Sequence, residues 1–302
     1  MKRTRIGRAL QSIRMIKTTS LPRIVCFVAL SLSAQVISAQ VSEGDRHYAA
    51  RATGAQGARA AAGPIDAAIA AYQRAIAQNA NDVEAHARLL RAYRYKGAYV
   101  AANNEEKKKI YALAKTAGDT ALGVVGRLVA GRGVKPDAAE KNVAAVARAI
   151  PNAADVYVWD AVNWGEWALA YGKMAAARQG AADRIRREAM IAHLIDPSLE
   201  GGTPSRVLGR LHDQTPSIPF ITGWASSKEA VKFLEQSLKL DPTNKITLVF
   251  LAEALVSDNS STKPRAIQLL RTVVDTPVHP EYIVEDAAAI DDARALLKKW
   301  AA

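Results

Sequence analysis

Among its 302 residues the chain has one cysteine, Cys26, and no thiol from residue 27 onward. This excludes an intrachain disulfide, and for everything beyond the first segment a thiolate nucleophile or a cysteine-ligated zinc or iron–sulfur centre. Aromatic residues are few, at 6%, and no sustained alternation of apolar and polar residues is bounded by turn residues, which argues against sheets. The five histidines, His47, His86, His193, His212 and His279, are scattered and include no HExxH pair, so no metal site is expected. There is no GxSxG elbow, and Gly201-Gly202-Thr203-Pro204 lacks the strand and lysine of a phosphate loop. Arg210, His212 and Asp213 form the densest polar group, but His212 and Asp213 are adjacent and point apart on a helix, so a role in the following loop is the simpler reading. The expectation is a non-enzyme with no catalytic residue, metal or cofactor.

Acidic residues are missing from the first 39 positions, which carry Lys2, Arg3, Arg5, Arg8, Arg14, Lys17 and Arg23. The formal charge of +12 therefore shrinks: with those seven set aside, 34 bases face 29 acids. Ile24 to Ala34 is apolar but too short for a membrane span, which needs about 20 residues. Basic residues before it and Val36-Ile37-Ser38-Ala39 after it make the layout of an export signal cleaved after Ala39, with Met15 as an alternative start to Met1. Cys26 follows Arg23-Ile24-Val25 at the head of the apolar run, where a lipidation site is not placed. The reading is a signal peptide over 1–39 and a single helical domain over 40–302, periplasmic or secreted. Nucleic acid is not an expected partner, because no clustered basic face carries stacking aromatics.

The rest is repetitive. Ala230-x3-Leu234-x2-Ser237-x2-Leu240-Asp241-Pro242 has the spacing of Ile185-x3-Ala189-x2-Ala192-x2-Ile195-Asp196-Pro197. Ala68-x3-Tyr72-x2-Ala75 and Ala266-x3-Leu270-x2-Val273 repeat it in part. This is the second helix of a tetratricopeptide (TPR) unit, with small residues for close packing and proline for the stop. Matching first helices carry His86, Leu89, Leu90 and Tyr93, then Leu248, Leu251, Ala252 and Leu255. The fold class is all-α, a TPR-like α-solenoid of antiparallel helix pairs. Single helices are expected over 104–129, from Pro136 to about 150 and over 154–178, with a last one over 283–300. A short helix carrying Arg206, Arg210 and His212 lies between breaks at 201–204 and 215–220, and residues 40–60, rich in alanine and glycine, form a weak end.

Three of the five tryptophans fall within nine residues. Trp164, Trp167 and Tyr171 share one helix face, which suits a core, whereas Trp159, Asn163 and Glu166 share another, an apolar wall with polar groups able to orient a guest. The run Val156-Tyr157-Val158-Trp159-Asp160-Ala161-Val162-Asn163-Trp164-Gly165-Glu166-Trp167, then Asp196-Pro197, Gly201-Gly202, Arg206-x-Leu208-Gly209, Pro219-Phe220 and Leu240-Asp241-Pro242, resembles the TRAP transporter T-component (TatT) family over about residues 100–260. The resemblance implies an exported helical protein that assembles as a trimer around a pore and works beside a periplasmic solute-binding P-component. It implies a small hydrophobic or carboxylate ligand. The residues expected to line the cavity or partner surface are Trp159, Asn163, Gly202, Arg206, Phe220 and Trp224, with Trp159 and Phe220 as the wall and Asn163 and Arg206 orienting a polar end. The other reading is a TPR scaffold whose concave face binds a protein without a small ligand.

Overall fold

Small residues at the helix crossings decide the architecture. In the computed structural model residues 39–301 are described, the side chain of Ala301 excepted. The expected signal peptide lies outside the described residues but for Ala39, which opens a helix. The helices are α1 (39–49), α2 (Ala62–Gln78), α3 (Val83–Tyr95), α4 (Asn104–Ala130), α5 (Glu140–Ala147), α6 (Ala153–Tyr171), α7 (Lys173–Arg178), α8 (Ala181–Ile195), α9 (Leu199–Gln214), α10 (Ser227–Leu240), α11 (Lys245–Asp258), α12 (Lys263–Asp275) and α13 (Ile283–Ala301). No strand occurs among the described residues, and the fold is an all-α helical repeat.

The first three repeat positions are where sequence spacing puts them, whereas the last is exposed in Leu240 and half-buried in Ile195. Ala68, Tyr72 and Ala75 of α2, Ala189 and Ala192 of α8, Ala230, Leu234 and Ser237 of α10, and Ala266, Leu270 and Val273 of α12 are all fully buried. Each buried leucine of this kind contributes about 1.5–3 kcal/mol. Successive helices pack as antiparallel pairs, and α3, α6, α9, α11 and α13 also touch one another in turn, forming an inner layer against which α4, α8, α10 and α12 pack. Side-chain caps start several helices: Asp82 accepts from Ala85 N at 3.0 Å, Asn103 from Glu106 N at 3.0 Å and Asn244 from Thr247 N at 3.0 Å.

Two boundaries differ from expectation. The helix expected from Pro136 begins at Glu140, because the Arg187 guanidinium takes the carbonyls of Pro136 and Ala138 at 2.8 and 2.7 Å. The helix expected over 154–178 is cut at Gly172, whose φ of 90° belongs to a conformation that side chains disfavour. After α3 the chain widens into five residues of π-helix, Lys96–Val100, and Gly97 lets the Tyr111 ring lie against the backbone there.

The two ends of the chain meet. Arg51, just after α1, donates from Nε to Glu285 at 2.9 Å and from Nη2 to the Glu281 carbonyl at 2.6 Å. Val284 is fully buried in the cluster that holds Val41, Ile65 and Tyr95. The inner layer therefore bends back on itself, with the start of α13 seated on the first repeat. This seat also orders the segment after α1 that the sequence marks as a weak end.

Candidate functional site on the inner face

The six residues expected at a site fall in three places. Asn163 is fully buried in the seam between α6 and α3, donating from Nδ2 to the carbonyls of Leu90 at 3.0 Å and Trp159 at 2.9 Å. Trp159, one turn earlier, is partly buried against the core cluster of α4, α5 and α6. Gly202 is buried with φ 84°, and an added Cβ would stand 3.0 Å from Ser237 Cα, so the backbone approach it permits is to α10. Arg206 projects from the next turn of α9. Phe220 and Trp224 lie elsewhere, in the loop from α9 to α10. Phe220 is fully exposed at φ 63°, and Trp224 donates from Nε1 to Asp183 at 2.9 Å. A shallow depression of about 400 Å³ beside Val134, Asn142 and Val146 includes none of the six.

Around Arg206 the inner layer gathers a different set. Arg88, Arg91 and Arg94 repeat every three residues along α3 and point inward over a stripe. Arg88 pairs with Glu84 at 3.4 Å and Asp45 at 3.5 Å, Arg91 with Glu200 at 3.3 Å, and Arg94 with Glu166 at 3.6 Å and the Tyr99 hydroxyl at 2.9 Å. Tyr48 lies beneath Arg91, 4.1 Å from guanidinium carbon to ring centre, and beside Arg51 at 4.8 Å. Burial pushes the Tyr48 hydroxyl up to about 12, against the pull of Arg91 and Arg51. The π-helical turn places Tyr99 under Arg94 at 5.0 Å. The Nε–H groups of Arg88, Arg91 and Arg94 are buried and make no hydrogen bond, those of Arg88 and Arg94 facing Asp45 and Glu166 at 3.5 and 3.6 Å. The set is rich in donors and short of acceptors.

Arg206 differs from its neighbours. It donates to the hydroxyls of Thr203 at 2.5 Å and Thr247 at 3.3 Å, and among the described residues no carboxylate lies within 4 Å of it. Thr247 is itself fixed by Asn244 and Ser237. Burial pulls the guanidinium down to about 10, while Glu200 and Asp241 favour its charge and Arg94 opposes it. The charge persists at neutral pH all the same. The nearest acids are engaged: Glu200 with Arg91, and Asp241 with the turn at Thr243 and Asn244.

A second polar centre lies behind α6. Asp160 and Glu188 are buried and share Arg184, which reaches them at 2.8 Å each and Asp119 at 2.8 Å. Burial raises both carboxyl groups, Glu188 the more, and each keeps one oxygen without a partner. Arg210, by contrast, is spent on Asp213 at 3.2 Å and Glu253 at 2.7 Å, and the His212 ring faces away, accepting from Ser226 N at 3.3 Å and stacked on Phe233. Among the described residues no group of acids or histidines is placed to hold a metal, and no helix is long and apolar enough to cross a membrane.

Of the inner set, Arg206 and Glu166 are visible from sequence. The three-residue arginine stripe of α3 is a signal that could have added Arg91 and Arg94. Tyr48 reaches the site from α1 by packing on Arg91, Arg51 is anchored by chain closure, and Glu200 is turned in by a left-handed backbone with φ 43°. No protein-family model and no curated protein sequence matches the chain.

Proposed function

We propose that this is an exported, non-catalytic binding protein of the TRAP T-component type. Its TPR-like array would hold or pass on a small ligand at the inner face, beside a periplasmic solute-binding partner. The observation that carries the reading is Arg206: a charged, half-buried guanidinium held between α9 and α11 by two hydroxyls, with no carboxylate of its own. A half-buried charge of this kind is costly unless something compensates it, and a bound guest supplies that compensation. Trp159 and Asn163 serve this reading as supports of the α3–α6 seam rather than as the wall of a cavity.

Native mass spectrometry of the purified protein, with a pull-down from periplasmic extract, tests the reading. Expected are a small molecule that leaves on denaturation and a solute-binding protein among the captured partners. A protein that carries no small molecule and binds none overturns the ligand role. One observation favours the scaffold reading. Ile218, Phe220 and Ile221 stand exposed on a loop tied by the Thr222 hydroxyl, which donates to the Pro216 carbonyl at 2.6 Å and accepts from Ile218 N at 3.1 Å. A Phe220→Ser variant that loses a protein partner but keeps the small molecule assigns that loop to the partner.

A further inference from the structure

We infer that His212 is a pH-sensitive latch for the loop of residues 215–226, fastening it to the body while the imidazole is neutral and letting it go when the ring takes a proton. The latch does not depend on the ligand reading above.

The loop that joins α9 to α10 shapes itself but is fastened at few points. Its turn is closed from within. The Thr222 hydroxyl donates to the Pro216 carbonyl and accepts from Ile218 N, while Thr222 N and Ile221 N donate to the Ile218 carbonyl at 2.9 and 3.1 Å. The far end of the loop is what meets the body. Ala225 is buried, Trp224 donates to Asp183, and Ser226 N donates to His212 Nδ1 at 3.3 Å.

Of these fastenings, His212 is the one that titrates near neutrality. Because the Ser226 N–H points at Nδ1, that nitrogen is the bare one and Nε2 carries the proton. The ring is boxed by aromatics, stacked on Phe233 at 5.8 Å and 25°, with its edge to the Trp224 ring at 5.3 Å and 85°. Only 9% of the residue is exposed. A further proton goes to Nδ1, where it faces the Ser226 N–H. An acceptor becomes a donor, and a hydrogen bond becomes two opposed donors beside a buried charge.

The charged neighbours do not relieve this conflict. Arg186 of α8 and Lys232 of α10 oppose the extra charge, and Glu229 of α10, which favours it, is paired with Lys232 at 3.0 Å. Asp183 of α8 is taken by Trp224, and on α9 itself Arg210 and Asp213 pair with each other. Burial is the leading effect and lowers the proton affinity of the ring, so release falls below about pH 6.5. His193 of α8 also meets Phe233, edge-on at 5.9 Å, but its Nδ1 is bonded to Ser205 and it has no hold on the loop. On release, the turn that carries Ile218, Phe220 and Ile221 moves as a unit, since its internal bonds contain no titrating group. The latch fixes where these exposed apolar side chains point at neutral pH and frees them in acid.

Hydrogen exchange of the full chain, read by mass spectrometry and corrected for the intrinsic pH dependence of exchange, tests the latch. Expected is a loss of protection of about tenfold or more in residues 215–226, relative to α6, between about pH 7.5 and about pH 5. His212→Asn places an amide oxygen near the position of Nδ1, where it accepts the same N–H without titrating, and should keep the segment protected at both pH values. His193→Asn should leave the transition in place. Ring NMR of the wild type gives the midpoint of each histidine, and the loss of protection should follow that of His212. Protection unchanged across this range in the wild type overturns the inference. So does a loss that persists in His212→Asn or follows the His193 midpoint. Should circular dichroism show His212→Asn to be unfolded, the midpoint comparison decides alone.

Discussion

Two polar centres, on opposite sides of α6, present opposite deficits. Behind the helix, Asp160 and Glu188 hold two carboxyl groups to one shared arginine, so base is short. In front, Arg206 has no carboxylate at all, so acid is short. The first deficit can be eased from within, since burial favours the protonated form of both carboxyl groups, Glu188 the more. The second has no such remedy. A guanidinium at about 10 stays charged at neutral pH, and its counter-charge must come from outside. The centre that balances itself belongs to the core, and the one that does not is the candidate for binding.

The largest effect should come from removing the shared base. Arg184→Met leaves two buried carboxyl groups without a cation and should cost about 3–5 kcal/mol at neutral pH, read by urea denaturation. A cost under about 1 kcal/mol would show that the two acids do not depend on Arg184 and would remove the shared base from the comparison. Crowding the same centre is next: a Cβ on Gly118 would fall 1.7 Å from Asp160 Oδ1, so Gly118→Ala should lower stability by about 1–3 kcal/mol.

The acidity of the first centre gives a signed test. With folded-state values above those of the unfolded chain, the stabilisation from Asp160 and Glu188 is complete below the ordinary carboxylate range near pH 4. It is lost as pH rises through the raised values. His193 and His212 run the other way. Burial lowers them, so their contribution is lost as pH falls below about 6.5. Glu188→Gln should therefore flatten the alkaline side of a stability–pH curve and leave the acid side unchanged. The smallest effect is expected in front of the helix. Arg206→Met in the ligand-free protein should shift stability by less than about 1 kcal/mol, because it removes an uncompensated charge along with two bonds. A loss as large as that of Arg184→Met would show that Arg206 is a structural residue and erase the comparison.

Sequence spacing carried the fold further than the site. The Ala230, Leu234, Ser237 pattern and its copies name the buried faces of α2, α8, α10 and α12, because close helix packing leaves little choice of residue at a crossing. Gly172 and Pro136 misled for local reasons, a left-handed backbone in one case and a guanidinium claiming carbonyls in the other. The site was only partly legible. Arg206 stands where the inner face forms, but Asn163 reads as a ligand residue on helical spacing alone, and only the fold turns its amide into the α3 seam. Phe220 lies on a loop whose direction no periodicity encodes. Arg51 enters through a contact with a segment more than two hundred residues away.

That last contact changes how the molecule should come apart. In an open array the terminal repeats have one neighbour each, so they fray first and unfolding spreads inward. Here Arg51 and Glu285, 234 residues apart, give the first and last repeats a neighbour on both sides. Neither end is then a free end, and the array should melt in one cooperative step. The closing contact forms late in folding, since its long loop must be ordered before the contact gains anything. Deleting α13 would leave the first repeat as exposed as the last.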